Sequence, residues 1–304
     1  MKYITYNTEK ISKLSLGTVQ FGIDYGIANN NGQPRQNDVD EILNYVCSKG
    51  INCLDTAQGY GNSEEVIGKY LKTIEYNDIS VVSKVDSKEL ILKEINFIDS
   101  IKNSISKLEV DSLFGLLMHN SNLMNQWNDE FSNKVSLLKE KKMIKYFGVS
   151  IYTNDEFDMA LNNEDIDIIQ VPFNIFDQRA LHNKWFEKAK NKNKLIFIRS
   201  IYLQGLLLMD INKIPDKLGK AKQHLEALEE YSQNLRITRN ELCLSYVNTI
   251  AKDSSLLFGC ETLYQAKQNL DTFENIKDLD ENNLKKIDDT FGNVSESIYN
   301  PTKW

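Results

Sequence analysis

Four ionisable side chains, Asp55, Tyr60, Lys84 and His119, lie at or near the ends of short hydrophobic runs. Asp55 follows residues 51–54, Lys84 follows residues 81–83, and His119 follows residues 113–118. Such runs, alternating with helical stretches, are typical of a parallel sheet that gathers functional side chains at its carboxyl edge. The arrangement indicates an enzyme.

These side chains form a coherent set for proton transfer to a carbonyl group. A phenol with a pKa of about 10 is a weak acid and a weak base near neutral pH, but an adjacent ammonium favours its phenolate. Lys84 would supply that ammonium to Tyr60, and Asp55 would keep Lys84 charged. His119 would donate a hydrogen bond that orients the carbonyl. Each residue alone has a purely structural interpretation, so the prediction depends on the set.

The surrounding pattern predicts an α/β fold, a (β/α)8 TIM barrel in which residues 1–304 form a single domain. A β-hairpin over Tyr3 to Ser15 precedes it, and additional carboxyl-terminal helices complete it. Eight β-type runs end near Gly17, Asp55, Lys84, His119, Ser150, Gln170–Val171, Arg199–Ser200 and Gly259. The predicted helical segments are Asp38–Lys49, Glu64–Leu71, Glu89–Leu108, Glu130–Lys141, Asp155–Leu161, Trp185–Lys190, Lys220–Leu235, Thr238–Ile250 and Leu263–Phe273. Ser63 is predicted to cap the helix that begins at Glu64.

Composition narrows the class of protein. The 41% hydrophobic and 26% charged residues permit a sizeable core, and a net charge of −7 argues against sequence-independent binding to nucleic acid. An amino-terminal leader is not evident, and no apolar stretch approaches the roughly 20 residues that cross a bilayer, so we expect a cytoplasmic protein and no membrane partner. The four cysteines lack CxxC spacing, which favours buried, reduced thiols and no structural metal.

The segment Asp55–Glu64, read as Asp-Thr-Ala-x-x-Tyr-Gly-x-Ser-Glu, resembles a signature of the aldo-keto reductase superfamily, as do the strand-end Lys84 and His119. The resemblance extends from Leu14 to Asn269. It implies a barrel that transfers hydride from a nicotinamide cofactor to an aldehyde or ketone without a metal. It also implies that Tyr60 donates the proton, that Lys84 and Asp55 adjust the acidity of Tyr60, and that His119 orients the carbonyl.

The same resemblance implies a set of cofactor-binding residues. They are Gly17, Thr18, Asp55, Ser150, Gln170, Arg199, Ser200, Gly205, Gly259, Cys260, Glu261, Thr262, Gln265 and Asn269. Two positions depart from the family pattern, because Ile151 replaces the usual Asn and Arg199 replaces an aromatic residue beneath the nicotinamide. A guanidinium can also stack on a ring. Backbone N–H groups at the start of the last predicted barrel helix suit a phosphate.

The resemblance favours NADP(H), because most aldo-keto reductases prefer it, with NAD(H) as the alternative. Glu261 occupies a place where members often carry Arg, and Lys267 is the nearby basic residue that would compensate. We expect a small-molecule carbonyl or sugar substrate, because the chain resembles a bacterial subgroup associated with polysaccharide and sugar metabolism. The Gly/Asn-rich segment 21–34 should border the substrate opening. The sequence leaves the oligomeric state open.

Two alternative functions remain. Lys84 would be a Schiff-base nucleophile in a lysine-dependent aldolase, although Asp55 should keep it protonated. A non-catalytic cofactor-binding regulatory module is the second, although all four catalytic-type residues are present. For the carboxyl tail, the aromatic residues Tyr299 and Trp304 predict that residues 298–304 pack back onto the barrel or onto a partner.

Overall fold

In the computed structural model, which describes residues 1–74 and 78–304, eight parallel strands close into a barrel behind an antiparallel hairpin. The hairpin strands are β1 (Tyr3–Tyr6) and β2 (Glu9–Ser12). The barrel strands are β3 (Leu14–Gly17), β4 (Cys53–Asp55), β5 (Ser80–Val85), β6 (Leu113–Met118), β7 (Ile144–Ser150), β8 (Ile168–Pro172), β9 (Leu195–Arg199) and β10 (Ser255–Gly259). Each barrel strand pairs in parallel with the next, and β10 pairs with β3 to close the ring. The predicted (β/α)8 barrel is confirmed.

Helices surround the barrel and continue beyond its last strand. They are α1 (Val19–Gly22), α2 (Gln36–Ser48), α3 (Ser63–Leu71), α4 (Glu94–Leu108), α5 (Asp129–Glu140), α6 (Asn154–Asn162), α7 (Arg179–His182), α8 (Trp185–Asn191), α9 (Lys222–Asn234), α10 (Arg239–Ile250), α11 (Leu263–Asn275), α12 (Glu281–Phe291) and α13 (Glu296–Tyr299). The additional carboxyl-terminal helices predicted from the sequence are therefore α12 and α13.

The hairpin covers the amino ends of the strands. The Tyr6 hydroxyl donates to the carbonyls of Asp167 and Asn193, which lie just before β8 and β9. Above the hairpin, buried apolar side chains such as Val82 and Phe114 fill the barrel interior. A second, larger apolar layer joins the outer faces of the strands to the helices. With one end covered and the interior packed, the carboxyl end is the open face of the barrel.

The predicted helix Glu89–Leu108 is wrong at its start. Residues Ser87–Ile91 form a 3-10 turn, the backbone is extended at Leu92, and α4 begins only at Glu94. The buried ammonium of Lys134 accounts for the break, because it binds the carbonyl oxygens of Leu90 and Leu92 at 2.6 and 2.7 Å. Those carbonyls are thereby held by a side chain where a continuous helix would use them in its own hydrogen bonds.

The carboxyl tail packs against the chain itself, as predicted. The Trp304 indole N–H donates to the carbonyl of Ile298 at 3.1 Å, and the Tyr299 ring faces the Arg179 guanidinium at 4.7 Å. All four cysteine thiols are free and buried. Across residues 1–74 and 78–304, no helix is long and apolar enough to cross a membrane, and no three His, Cys, Asp or Glu side chains are grouped to hold a metal ion.

Candidate active site

Neighbouring strands bring the four predicted catalytic residues to the open end of the barrel. Asp55 is the last residue of β4 and Lys84 is the penultimate residue of β5. His119 directly follows β6, and its backbone N–H donates to the carbonyl of Val85 at 2.7 Å. Tyr60 lies in the turn between β4 and α3. Residues that are 64 positions apart in the chain, from Asp55 to His119, thus share one edge because parallel strands end together.

A buried ion pair lies beneath this edge. Lys84 Nζ donates to Asp55 Oδ2 at 2.6 Å and to the carbonyl of Thr56 at 2.9 Å. The other Asp55 oxygen accepts from Gln170 Nε2 at 2.8 Å. The Lys84 side chain is 1% exposed and that of Asp55 is 6% exposed. Both charges are therefore desolvated, paired and fixed in orientation.

Two glycines position Tyr60 by letting two loops touch. A Cβ on Gly22 would lie 1.7 Å from the Tyr60 carbonyl oxygen, and one on Gly61 would lie 2.2 Å from the Gly22 carbonyl oxygen. Gly61 also has a φ of +57°. A side chain at either position would separate the loop after β3 from the loop after β4. The close approach fixes the backbone from which the Tyr60 ring projects.

Ser63 adds to this attachment, and the prediction that it caps α3 is wrong. Asn62 is the cap residue, and Ser63 is the buried first residue of the helix. The Ser63 hydroxyl donates to the Thr18 carbonyl at 2.9 Å and accepts from the Thr56 hydroxyl at 3.0 Å. Ser63 therefore joins the segment that follows β3 to the segment that follows β4.

The Tyr60 ring lies between the ammonium and the imidazole. Lys84 Nζ is 5.0 Å from the centroid of the Tyr60 ring, and the His119 ring meets that ring edge-on, with 5.3 Å between centroids. Gly59 lies close to the imidazole, since a Cβ built on it would be in ordinary van der Waals contact with His119 Nδ1 at 3.6 Å. The predicted constellation is assembled in space.

Burial and charge set the protonation of these groups. Burial raises the pKa of Tyr60, and the ammonium of Lys84 opposes that rise without cancelling it. Burial also acts to lower the pKa of Lys84, but Asp55 and Tyr60 bring it above its ordinary value. Burial, reinforced by Lys84, lowers the pKa of His119 to about 4. At neutral pH the site therefore holds a protonated phenol, an ammonium and a neutral imidazole.

The sequence-based expectation for Tyr60 needs one correction. Lys84 favours the phenolate, as predicted, but desolvation of the phenol is the larger effect. A buried phenolate lacks the water that stabilises its charge, and sequence spacing does not reveal burial. Tyr60 is consequently held as an acid.

A cavity of about 830 Å³ opens above these residues, a volume within the range of small-molecule and cofactor sites. Most of the predicted site residues line it. They are Gly17, Thr18, Asp55, Tyr60, His119, Ser150, Gln170, Arg199, Ser200, Gly205, Gly259, Glu261, Gln265 and Asn269. Residues 25–30 line it as well, which confirms that the segment 21–34 borders the opening.

Three predicted site residues do not line the cavity. Lys84 lies below it and reaches it only through Asp55 and Tyr60. Cys260 is fully buried, and burial raises the pKa of its thiol well above the ordinary value. Thr262 uses its hydroxyl to cap α11 by accepting from the backbone N–H of Gln265. The side chains of Cys260 and Thr262 therefore serve the core and the helix, and the role of these residues as cofactor contacts stays a prediction.

A carboxylate is fixed at the outer end of the cavity. Glu261 is 6% exposed; its Oε2 accepts from Gln20 Nε2 at 2.9 Å and its Oε1 from Gln265 Nε2 at 2.8 Å. Gln265 Oε1 in turn accepts from the backbone N–H groups of Glu261 and Thr262. The backbone donors that the sequence suggested for a phosphate are thus partly used within the turn.

Asn269 provides a test of fit for a nucleotide at this end. Its Nδ2 donates to the Gln265 carbonyl at 2.8 Å, whereas its Oδ1 is buried without a partner and the residue lines the cavity. An unpaired carbonyl oxygen requires a donor, and the exocyclic amine of adenine is one. The donor and acceptor set therefore suits the adenosine half of a nicotinamide dinucleotide.

The sequence did not identify several cavity-lining residues, including Gln20, Tyr25, Tyr152 and Lys213. Tyr25 and Tyr152 lie in loops, Gln20 in the single turn of α1 and Lys213 in a 3-10 turn, and these segments are too short or irregular for helical or strand periodicity to apply. The only available signal for Tyr25 was its place in the segment already expected at the opening. Gln20 gave no signal, since its contact with Glu261 joins residues 241 positions apart.

A (β/α)8 barrel with a polar cavity at its carboxyl end defines an enzyme scaffold, and comparisons with known proteins identify the family. The sequence model of the Aldo/keto reductase family matches residues 13–290. The chain is 23% identical to the uncharacterized oxidoreductase YqkF of Bacillus subtilis strain 168, over 91% of this chain and 92% of that protein. It is 21% identical to D-arabinose 1-dehydrogenase of Saccharomyces cerevisiae, over 90% and 86%.

Among solved structures, the holo form of aldo-keto reductase AKR11C1 from Bacillus halodurans superposes with a TM-score of 0.80 at 21% identity, and the match covers 100% of both chains. The chain belongs to the aldo-keto reductase family. It is an NAD(P)H-dependent oxidoreductase of carbonyl compounds.

Proposed function

We propose that the protein reduces an aldehyde or ketone with Tyr60 as the proton donor. The observation that carries this proposal is the assembly of Tyr60 with Lys84 and His119 at the floor of the cavity. A bound nicotinamide supplies the hydride, and the protein's own groups handle the proton. The match of residues 13–290 to one family also supports our proposal that the chain is a single domain.

The protonation states support this division of roles. Tyr60 keeps its proton because burial raises its pKa, so it can deliver that proton to the oxygen of the carbonyl as negative charge develops there. The Lys84 ammonium stabilises the phenolate that remains. His119, neutral because its pKa is about 4, can donate an N–H to the same oxygen. The raised pKa of Lys84 does not favour the Schiff-base alternative, because a protonated amine is not a nucleophile.

The cavity offers contacts along a nicotinamide dinucleotide. Ser150 at the end of β7 and Gln170 within β8 would hold the carboxamide, and Asn269 on α11 would accept from the adenine amine. Gln170 is already oriented by its bond to Asp55, which links the cofactor end to the proton-donating end. Contact between the carboxamide and Gln170 therefore requires no rearrangement of the Asp55–Lys84 ion pair.

At the adenosine ribose, the position of Glu261 favours NAD(H), whereas the resemblance to the family favours NADP(H). A 2′-phosphate would approach the Glu261 carboxylate, which two amides hold in place. Lys267 does not compensate, because its Nζ lies over the Tyr45 ring at 5.5 Å and the residue does not line the cavity. The Glu261 oxygens instead suit ribose hydroxyl donors.

We propose a sugar or sugar derivative as the substrate class. The lining of the cavity combines the amide side chains of Asn30 and Gln204 with the aromatic residues Tyr25 and Tyr152. Amides bind hydroxyl groups, and aromatic faces pack on apolar C–H surfaces. The similarity to a protein named D-arabinose 1-dehydrogenase supports the same class.

The proposal is tested with a panel of aldehydes, ketones and sugars, followed by nicotinamide absorbance with both cofactors. On the best substrate, Tyr60→Phe should lower kcat by about 10²- to 10⁴-fold, because it removes one transferable proton and little packing. Cofactor affinity, measured by calorimetry, should stay unchanged.

Tyr146→Phe is the matched control. It removes a phenol whose ring packs on Tyr6 and Phe114 in the interior near the hairpin, and it should retain wild-type turnover. A Tyr60→Phe enzyme with wild-type kcat would contradict the proposed proton donor.

A further inference from the structure

Arg199 places a positive charge in the cavity without an acidic partner among residues 1–74 and 78–304. It is the last residue of β9, and its Nε and Nη1 donate to the hydroxyls of Ser150 and Ser200 at 3.3 and 3.4 Å. Its Nη2 donates to the Ile151 carbonyl at 3.0 Å, and its Cζ lies 4.1 Å from the centroid of the Tyr152 ring. All of these partners are uncharged.

Other arginines in half-buried positions behave differently. Arg179 pairs with Asp177 at 2.7 Å, and Arg239 pairs with Glu229 at 2.8 Å. In the described part of the chain, Arg199 has no such carboxylate. Its charge is therefore not neutralised locally, and a half-buried charge is screened by water much less than an exposed one.

The charge lies close to the proposed proton-donating groups. Burial and Lys84 are the main causes of the low pKa of His119, and Arg199 acts in the same direction. Arg199 also opposes the rise in the pKa of Tyr60, after Lys84. Since Asp55 is already paired with Lys84, the guanidinium is the unpaired charge at the inner end of the cavity.

The position of the nicotinamide ring follows from the proposed function, on which this inference rests. Hydride and proton must reach the two atoms of one carbonyl group, and Tyr60 and His119 fix where that group lies. Ser150, Gln170 and Arg199 lie on the neighbouring strands β7, β8 and β9 and line the same cavity as Tyr60 and His119. Since Ser150 and Gln170 are the residues proposed to hold the carboxamide, the ring would lie beside the guanidinium, which donates to the Ser150 hydroxyl.

We propose that Arg199 sets the relative affinity of the protein for the two redox forms of its cofactor. The oxidised nicotinamide ring is cationic and the reduced ring is neutral. A fixed guanidinium beside the ring repels the oxidised form and leaves the reduced form unaffected. The protein therefore binds reduced cofactor in preference and releases oxidised cofactor readily, which suits carbonyl reduction more than alcohol oxidation.

Isothermal titration calorimetry of NAD⁺, NADH, NADP⁺ and NADPH measures this preference directly as the ratio of oxidised to reduced Kd. Arg199→Gln should lower the ratio about tenfold, because the charge is lost and the repulsion with it. Arg199→Lys should keep the ratio near the wild-type value. Arg199→Met is a second neutral variant should the glutamine form fail to fold.

Lys213→Gln is the matched control, because it removes the other positive side chain that lines the cavity and one that belongs to an outer loop. It should change the affinity for both forms alike. An unchanged ratio in Arg199→Gln and Arg199→Met, with binding retained, would overturn the Arg199 proposal alone. A wild-type protein that binds none of the four nucleotides would overturn the proposed function together with it.

Discussion

The two ends of the barrel each contain a buried lysine, and their surroundings differ. Lys13, just before β3, is 3% exposed, and its Nζ donates to the carbonyls of Ala251, Lys252 and Ser254 at 2.5 to 3.0 Å. Burial lowers the pKa of Lys13 to about 7. Lys84 at the opposite end is as deeply buried, yet its pKa is raised because Asp55 opposes the effect of burial.

The difference shows that the depth of burial alone does not decide the charge of a lysine. Backbone carbonyls satisfy the N–H donors of Lys13 and tie together the ends of elements, which is a structural role. A carboxylate partner keeps Lys84 ionised, and an ionised lysine beside a tyrosine affects proton transfer. The amino end of the barrel therefore contributes stability, whereas the carboxyl end contributes chemistry.

Lys84→Met should produce the largest effect of the substitutions that test this comparison. It leaves the Asp55 carboxylate buried and unpaired, so the free energy of unfolding should fall by about 3–5 kcal/mol. It also removes the charge that lowers the pKa of Tyr60 most. The rise of alcohol oxidation rate with pH, which reports the Tyr60 phenolate, should move to higher pH, and turnover should fall about 10²-fold or more.

Lys13→Met is the control for that experiment. It leaves the carbonyl oxygens of Lys252 and Ser254 without this partner, at about 1–3 kcal/mol each, whereas that of Ala251 still accepts from the backbone N–H of Ser254. Lys13→Met should therefore also destabilise the fold, as urea unfolding will measure. Turnover per folded molecule and its pH profile should stay at wild-type values. Should Lys13→Met shift the profile as Lys84→Met does, the two ends of the barrel would not be functionally distinct.

Glu261→Arg should produce an intermediate effect. Glu261, like Asp55, is a buried carboxylate, but its partners Gln20 and Gln265 are neutral amides and leave its charge uncompensated. Reversing that charge should raise the preference for NADP(H) over NAD(H) by about tenfold, or about 1.4 kcal/mol, in kcat/KM.

Glu274→Arg makes the same charge change on an exposed position of α11, the helix that follows Glu261, and should leave the cofactor ratio unchanged. Equal ratios for wild type and Glu261→Arg would show that the carboxylate does not face the ribose.

His119 should give an effect on stability, visible as its pH dependence. An unfolded histidine binds a proton near pH 6.5, whereas His119 in the folded chain does so near pH 4. Between these values the unfolded state holds more protons, so the free energy of unfolding falls as pH falls from about 6.5 towards 4. His119→Gln removes this contribution, and its stability should fall less over that range.

Urea unfolding of wild type and His119→Gln between about pH 4.5 and 7.5 isolates the histidine, because all other titrating groups are common to both. A constant difference in free energy across that range would mean that His119 titrates alike in the folded and unfolded chains.

The sequence determined the barrel and the membership of its proton-transfer set. Eight short apolar runs separated by amphipathic segments leave a parallel barrel as the consistent solution, and strand ends such as Asp55 and Lys84 then meet at one edge. The Asp55–Glu64 signature specified the turn that carries Tyr60. These features are local in the chain, which is why they are readable from it.

Only the tertiary structure decided which charges are compensated. Burial reversed the expected net shift of the Tyr60 pKa, and a contact from a distant segment fixed Glu261. Arg199 meets only uncharged partners among the residues that the structure describes. Lys134 likewise divided a predicted helix through contacts from a neighbouring element. Desolvation and pairing depend on the distance between residues that are far apart in sequence, and no local pattern encodes that distance.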